Sequence, residues 1–427
     1  MYHDTLLATT GRGEARPASA VSHGVGLAGV AALALWLGVA RRYRLDGPYA
    51  ALVAVAAAGG AMVLWSLLVE RVHRRASTSL DWDHPRPWRE CVDGALLKIA
   101  GTWATWGGIA IVYVAGRFWW QGPYALAMQC LITALPLLLA LSIPYCWWIE
   151  RHVVERRDGA WHLGAWLTGQ PGWEGEAIRA HLLAWAVKGF FLPFMLAILP
   201  GGFGPVVRTD IAAALADPVR LTATLTGVMF TLDIVFATAG YLLTLRPLDA
   251  HIRSANPFAA GWTAALICYP PFVLMDAGGP LDYHPGTADW SRWFAGHVWL
   301  LWGWGGLLVA LTAVYAWATV AFGLRFSNLT NRGILTHGPY GWSRHPAYLA
   351  KNLFWLAATI PVLTTGSWLD GARATLLMGA VAGVYYWRAR TEERHLMADP
   401  DYRAYHAWMG RHGAVPRLVG WVLGRPA

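Results

Sequence analysis

The chain has 427 residues, of which 56% are hydrophobic and only 14% charged, too much apolar surface for a water-soluble globule. Apolar runs of about 18 or more residues recur along it, so it reads as all-α, a polytopic transmembrane helix bundle of about ten spans. Its formal charge of +9 falls mostly between those runs, as topology signals do; no basic array interleaved with aromatics points to nucleic acid, and the four cysteines lack C-x-x-C spacing.

In chain order, a polar segment up to Ser22 precedes a first apolar run near 24–40, which ends at Arg41-Arg42-Tyr43-Arg44. No small-residue cleavage pattern follows, so this is a retained span and not a signal peptide. Further spans are expected near 48–69, 95–116, 123–147, 180–200, 219–245, 257–275, 293–323, 351–366 and 371–388. Most Lys and Arg lie in the N-terminal tail, the loops 70–94, 148–179, 246–256 and 324–351, and the C-terminal tail. That bias places these segments, and both termini, on the cytoplasmic side, with Arg41 to Arg44 as the discordant cluster.

Ala51 to Ala61 is suited to close helix packing, with Gly59 and Gly60 allowing backbone approach. The loop 148–179 carries Glu150, Arg151, Glu155, Arg156, Arg157, Asp158 and several Trp, and reads either as an interfacial segment on anionic lipid or as a lid over a cofactor. Lys188 and Asp233 sit at similar depth on neighbouring antiparallel spans, which permits an ion pair inside the membrane.

The polar residues are densest near the C-terminus, and the chain divides into N-terminal helices of unassigned role, 1–290, and a C-terminal region, 291–427. That region holds His337-Gly338-Pro339-Tyr340, then Arg344-His345-Pro346-Ala347-Tyr348, an apolar hairpin, Glu392-Glu393 and finally Tyr402 and Tyr405. Gly338-Pro339 makes a rigid turn beside which Tyr340 can stack. Arg344 offers a planar fork for a carboxylate. Pro346 suits the first turn of the next helix, where its missing N–H costs little. Tyr402 and Tyr405, three residues apart, share one helix face.

This two-part pattern, with Leu396 completing Glu-Glu-x-x-Leu, resembles the isoprenylcysteine carboxyl methyltransferase family and its phospholipid methyltransferase relatives over roughly Leu324 to Met409. One departure is Ala350, where the family usually has Gly. The resemblance implies an integral membrane enzyme using S-adenosylmethionine, with Arg344 and Glu393 as catalytic residues. It implies cofactor contacts from His337, Gly338, Pro339, Tyr340, Arg344, His345, Pro346, Tyr348, Glu392, Glu393, Tyr402 and Tyr405. Because a lipophilic acceptor loses apolar burial on leaving the bilayer, a pocket lined by Tyr340, Arg344, His345 and Glu393 is expected to open sideways to lipid. The implied partner is a lipophilic acceptor from the membrane, a prenylcysteine-like carboxylate in that family. Methyl transfer needs donor and acceptor aligned and water excluded, and no metal; no Cys/His cluster suggests one.

Two other readings stay open. Arg-His-Pro-x-Tyr also looks like part of the membrane sterol reductases, which use NADPH, and Arg325, Arg332 and Lys351 are candidates for a 2′-phosphate. Paired acids at Glu392 and Glu393 favour a cationic sulfonium instead. A transporter or non-catalytic scaffold is the third, with Lys188 and Asp233 as its support. A soluble Rossmann domain is not expected, since no G-x-G-x-x-G follows a strand-like segment.

Overall fold

In the computed structural model, which describes residues 15–414 and Arg417, the chain is 72% helical with almost no strand, an all-α polytopic bundle. The helices are α1 (His23–Tyr43), α2 (Pro48–Leu64), α3 (Val92–Ala115), α4 (Tyr124–His152), α5 (Gly159–Leu167), α6 (Gly175–Arg208), α7 (Ile211–Leu215) and α8 (Pro218–Leu242). After them come the short strand β1 (Ser254–Ala255), α9 (Ala259–Leu266), α10 (Trp290–Trp293), α11 (Val298–Phe322), β2 (Thr330–Asn331), α12 (Pro346–Thr359), α13 (Trp368–Leu396) and α14 (Pro400–His412). Among the described residues seven helices, built on α1, α2, α3, α4, α6, α8 and α11, are long and apolar enough to cross a membrane.

Local chemistry sets the helix ends. Asp217 accepts from the Val219 and Arg220 amides at 2.8 and 2.9 Å, and Pro218 occupies the first position of α8. A Ser367/Asp370 capping box starts α13. The main apolar core joins α1, α2, α6 and α8. On α2 the buried face is Ala51, Ala54, Ala58 and Gly59, while Gly60 faces outward, so the small residues do bring helices close, although only one of the two glycines takes part.

The six segments rich in basic residues meet on one face of the bundle. Ala20 donates its amide to the Ile334 carbonyl at 2.9 Å, and Arg75 reaches the Ala20 carbonyl at 3.0 Å. Asp81 bonds to the His152 carbonyl at 2.7 Å, Arg325 to Asp249 at 2.5 Å, and Tyr405 to the Tyr340 carbonyl at 2.8 Å. Arg41, discordant by charge, lies at the other end and has a structural task there. Its guanidinium donates to the carbonyls of Val206 and Thr209 at 2.8 and 2.7 Å, closing the C-terminal end of α6.

Three expectations need correction. The span at 257–275 is not one helix: α9 stops at Leu266, and Pro270-Pro271 cannot continue it. The chain still runs from β1 on the basic face to Gly286, whose carbonyl accepts from Thr364 and Thr365 in the turn beyond α12. It makes that passage as irregular backbone packed on α13, with Met275, Leu281 and Tyr283 against Met378, Val381 and Tyr385, the protein cover that non-helical chain needs at membrane depth. The second correction is the Lys188–Asp233 pair. Asp233 turns to α11, where Tyr315 and Thr319 donate to it, while the Lys188 ammonium lies 4.0 Å from the Trp185 ring. Equal depth on neighbouring helices does not make two side chains face each other. Thirdly, 148–179 is no lid over the C-terminal motif. Within it α5 packs on α3 through Gly101 and Gly164, each set against backbone of the other helix.

Candidate functional site

The two halves of the C-terminal motif are brought together by α12 and α13. Gly338, with φ of 58°, turns the chain against Trp317, and a tight 3₁₀ turn over Gly338–Gly341 delivers Tyr340 inward. Pro346 opens α12, so Arg344 and His345 stand just before the helix and Tyr348 one turn into it. On α13, Glu392 and Glu393 project toward them.

Glu393 is the hub of this contact. Its carboxylate lies 2.9 Å from Arg344 Nε, 3.1 Å from His345 Nε2 and 3.0 Å from Arg390 Nη1. Burial works to raise its pKa, but the His345 hydrogen bond and the charges of Arg344, His345 and Arg390 outweigh it and hold the group below the usual carboxylate range. Glu392 instead accepts from the Tyr348 hydroxyl, and the His345 and Tyr348 rings stack 5.8 Å apart.

Behind the contact lies a cavity of about 180 Å³. Of the residues singled out in the sequence, Tyr340, Arg344, His345, Tyr348, Glu392, Tyr402 and Tyr405 line it. His337, Gly338, Pro339, Pro346 and Glu393 do not. His337 is buried in the turn, bonded to Ser19 Oγ at 2.7 Å and edge-on to His23, and burial pushes its pKa down to about 4. Glu393 stands behind Arg344 and His345 and holds both side chains.

Arg388, Tyr269, Tyr315 and Tyr385 also line the cavity and carried no recognisable signal in the sequence, whereas Lys351, a candidate for a 2′-phosphate, does line it. Arg388, 3% exposed on α13, donates to Asn328 Oδ1 at 2.7 Å and sits over the rings of Tyr269, Tyr348 and Tyr385 at 5.3, 5.2 and 5.9 Å. Its Nε has no hydrogen-bond partner, and neither has the buried hydroxyl of Tyr402. Tyr315 lines the inner end, its hydroxyl donating to Asp233 at 2.8 Å; the Lys351 ammonium lies among the rings of Tyr315, Trp355 and Tyr385 at 5.6, 5.0 and 5.7 Å.

Other basic lining groups are already committed. Arg325 is bound to Asp249 and to the Arg332 carbonyl, and Arg332 to the carbonyls of Ala250, Gly240 and Phe326. Asn331 holds Asp399 at 2.6 Å, and Asn352 bonds within its own helix. The described residues contain no group of His, Cys, Asp and Glu able to hold a metal ion.

Residues 290–408, less than half of the chain, are similar to a family described as protein of unknown function (DUF1295). That match covers both halves of the motif and does not single out the isoprenylcysteine carboxyl methyltransferases. No curated protein and no solved structure matches the chain.

Proposed function

We propose that this cavity binds S-adenosylmethionine and that the chain is a membrane methyltransferase acting on a lipophilic acceptor. The observation that carries the reading is the set of buried polar atoms on the cavity wall with no hydrogen-bond partner, above all Arg388 Nε, whose nearest carboxylate, Glu392, is 4.0 Å away, and the Tyr402 hydroxyl, joined by Thr330 Oγ1 on the same wall. Buried polar groups without partners are costly, and a ligand carrying an anionic group and hydrogen-bond acceptors would satisfy them. When bound, S-adenosylmethionine supplies an electrophilic methyl group on a sulfonium. Tyrosine faces around the cavity attract such a cation. Arg388 and Glu392 give the two signs of charge that a zwitterionic methionine tail requires, and Glu393 fixes the Arg344 and His345 side chains beside them. At the inner end, Tyr315 and Asp233 offer a proton route that an amine or hydroxyl acceptor needs and a carboxylate does not. A lateral opening would spare a lipid the loss of about 0.8 kcal/mol per CH₂ on leaving the bilayer.

One observation favours NADPH-dependent reduction instead: a tyrosine held by Asp233 with Lys351 beside it is also a plausible proton donor to a reduced lipid double bond. Against that, of the three candidates for a 2′-phosphate, Arg325 and Arg332 are spent on internal partners and only Lys351 is left to meet it. Calorimetry of the purified protein in detergent decides between them. S-Adenosylhomocysteine should bind and NADPH should not; binding of NADPH alone would replace the methyltransferase reading with the reductase.

A further inference from the structure

A second and larger cavity, of about 460 Å³, lies within the N-terminal helices, walled by α3, α4, α5, α6 and the segment 244–255. Its charges are unbalanced. Lys98, Lys188, Arg246 and Arg253 line it with His181 and His251, against Asp158 as the one carboxylate. Lys98 is answered by Glu150 at 3.0 Å and Asp158 at 3.2 Å, and Arg253 by Asp249 at 3.6 Å. Among the described residues the Arg246 guanidinium reaches the Thr78 carbonyl, at 3.4 Å, and the Lys188 ammonium the face of Trp185, neither meeting a carboxylate.

Lys188 stands on a membrane helix, where a charge costs about 2.5 to 3.5 kcal/mol and marks a functional position by default. Among the described residues no carboxylate pairs with it. His251 Nδ1 is buried and has no hydrogen-bond partner. Two basic side chains without a carboxylate partner and an unsatisfied imidazole nitrogen around one cavity call for an anion with several acceptor oxygens, which is phosphate chemistry.

We propose that this cavity binds the phosphate of a membrane lipid headgroup, with Lys188, Arg246 and His251 as its ligands. The walls point to lipid as the source of the phosphate. Three of the helices that wall the cavity, α3, α4 and α6, are long and apolar enough to cross a membrane, so the phosphate would arrive among membrane helices, where acyl chains can stay in contact with apolar surface. The site is distinct from the C-terminal cavity and does not depend on what that cavity binds. The two lie back to back across the ribbon of β1 and β2. Ala255 on β1 lines one and Thr330 on β2 the other, and Ser254 Oγ is 2.9 Å from His395, a residue of the C-terminal cavity.

The test uses the full chain in phosphatidylcholine nanodiscs titrated with short-chain phosphatidic acid, diacylglycerol or inorganic phosphate, binding being read by thermal shift. Phosphatidic acid should raise the unfolding midpoint and diacylglycerol should not. Lys188→Met and Arg246→Gln should each weaken phosphatidic acid at least tenfold, whereas Arg220→Gln, an exposed change on α8, should not. Lys188-dependent binding of inorganic phosphate as tight as that of phosphatidic acid would keep the phosphate-binding cavity but overturn the lipid source. Equal responses to phosphatidic acid and diacylglycerol, or a Lys188→Met protein with a normal unfolding midpoint and undiminished binding, would overturn the proposal.

Discussion

The two cavities treat their charges in opposite ways. Around the C-terminal one most ions have a partner from the chain itself: Arg388 on its wall is held by Asn328 and three tyrosine rings, and behind the wall Glu393 gathers Arg344, His345 and Arg390 while Tyr315 and Thr319 donate to Asp233. In the N-terminal one Lys98 lies beside the carboxylates of Glu150 and Asp158, yet among the described residues no carboxylate pairs with Lys188 or Arg246. A site that aligns two reactants gains from side chains locked before the ligand arrives, whereas a site that only holds an anion can leave its cations for the anion to neutralise. That difference is in keeping with the two proposals, a reaction at one cavity and anion binding at the other.

Breaking the paired network on the N-terminal side should have the largest effect, and it should be on stability. Lys98→Met leaves the fully buried Glu150 short of one cation, at a cost of about 3 to 5 kcal/mol. Thermal unfolding should show that loss while S-adenosylhomocysteine affinity at the other cavity stays within about twofold. On the C-terminal side, Arg388→Met removes a buried cation, a class of change worth about 2 to 5 kcal/mol in binding. Calorimetry should register a loss of about a hundredfold in S-adenosylhomocysteine affinity; unchanged affinity would remove Arg388 from the cofactor site.

Glu393→Gln keeps one acceptor oxygen but drops the charge that orients Arg344 and His345. We expect about a tenfold loss, near 1.4 kcal/mol, in turnover more than in cofactor binding. Acidification should act more weakly and on the fold. Burial pushes His337 and His395, ordinarily at 6.5, down to about 4. The unfolded chain then takes up protons that the folded one refuses, so stability present above pH 6.5 is lost as the pH falls towards 4. The unfolding midpoint should drop between pH 7 and 5, and His337→Gln should flatten the slope. The smallest expected effect is the coupling between Lys188→Met and Asp233→Asn. Because Lys188 lines the N-terminal cavity while Asp233 is bonded to Tyr315 and Thr319 of α11, their stability changes should add within about 0.5 kcal/mol. A larger coupling would mean that the cavities communicate through α6 and α8.

Much of the site was legible because its residue types are rare in apolar sequence. Tyr340, Arg344, His345, Tyr348, Glu392, Tyr402 and Tyr405 all line the C-terminal cavity, and their spacing in sequence already suggested a common purpose. Arg388 escaped because Trp387-Arg388-Ala389-Arg390 reads as a basic helix end, and only the packing of α13 against Asn328 buries it. Tyr269 was hidden inside an expected span.

The sequence alone determined that the chain is a helical membrane protein, since runs of apolar residues leave few other ways to satisfy the backbone in lipid. It also determined which segments share a face, because the distribution of Lys and Arg is a property of the chain. Tertiary structure decided which charges meet. Depth along a helix can be counted in residues, but the direction in which a side chain points depends on the rotation of each helix against its neighbours. For that reason Asp233 found Tyr315 and Thr319 instead of Lys188, and Glu393 came to stand behind Arg344 and His345.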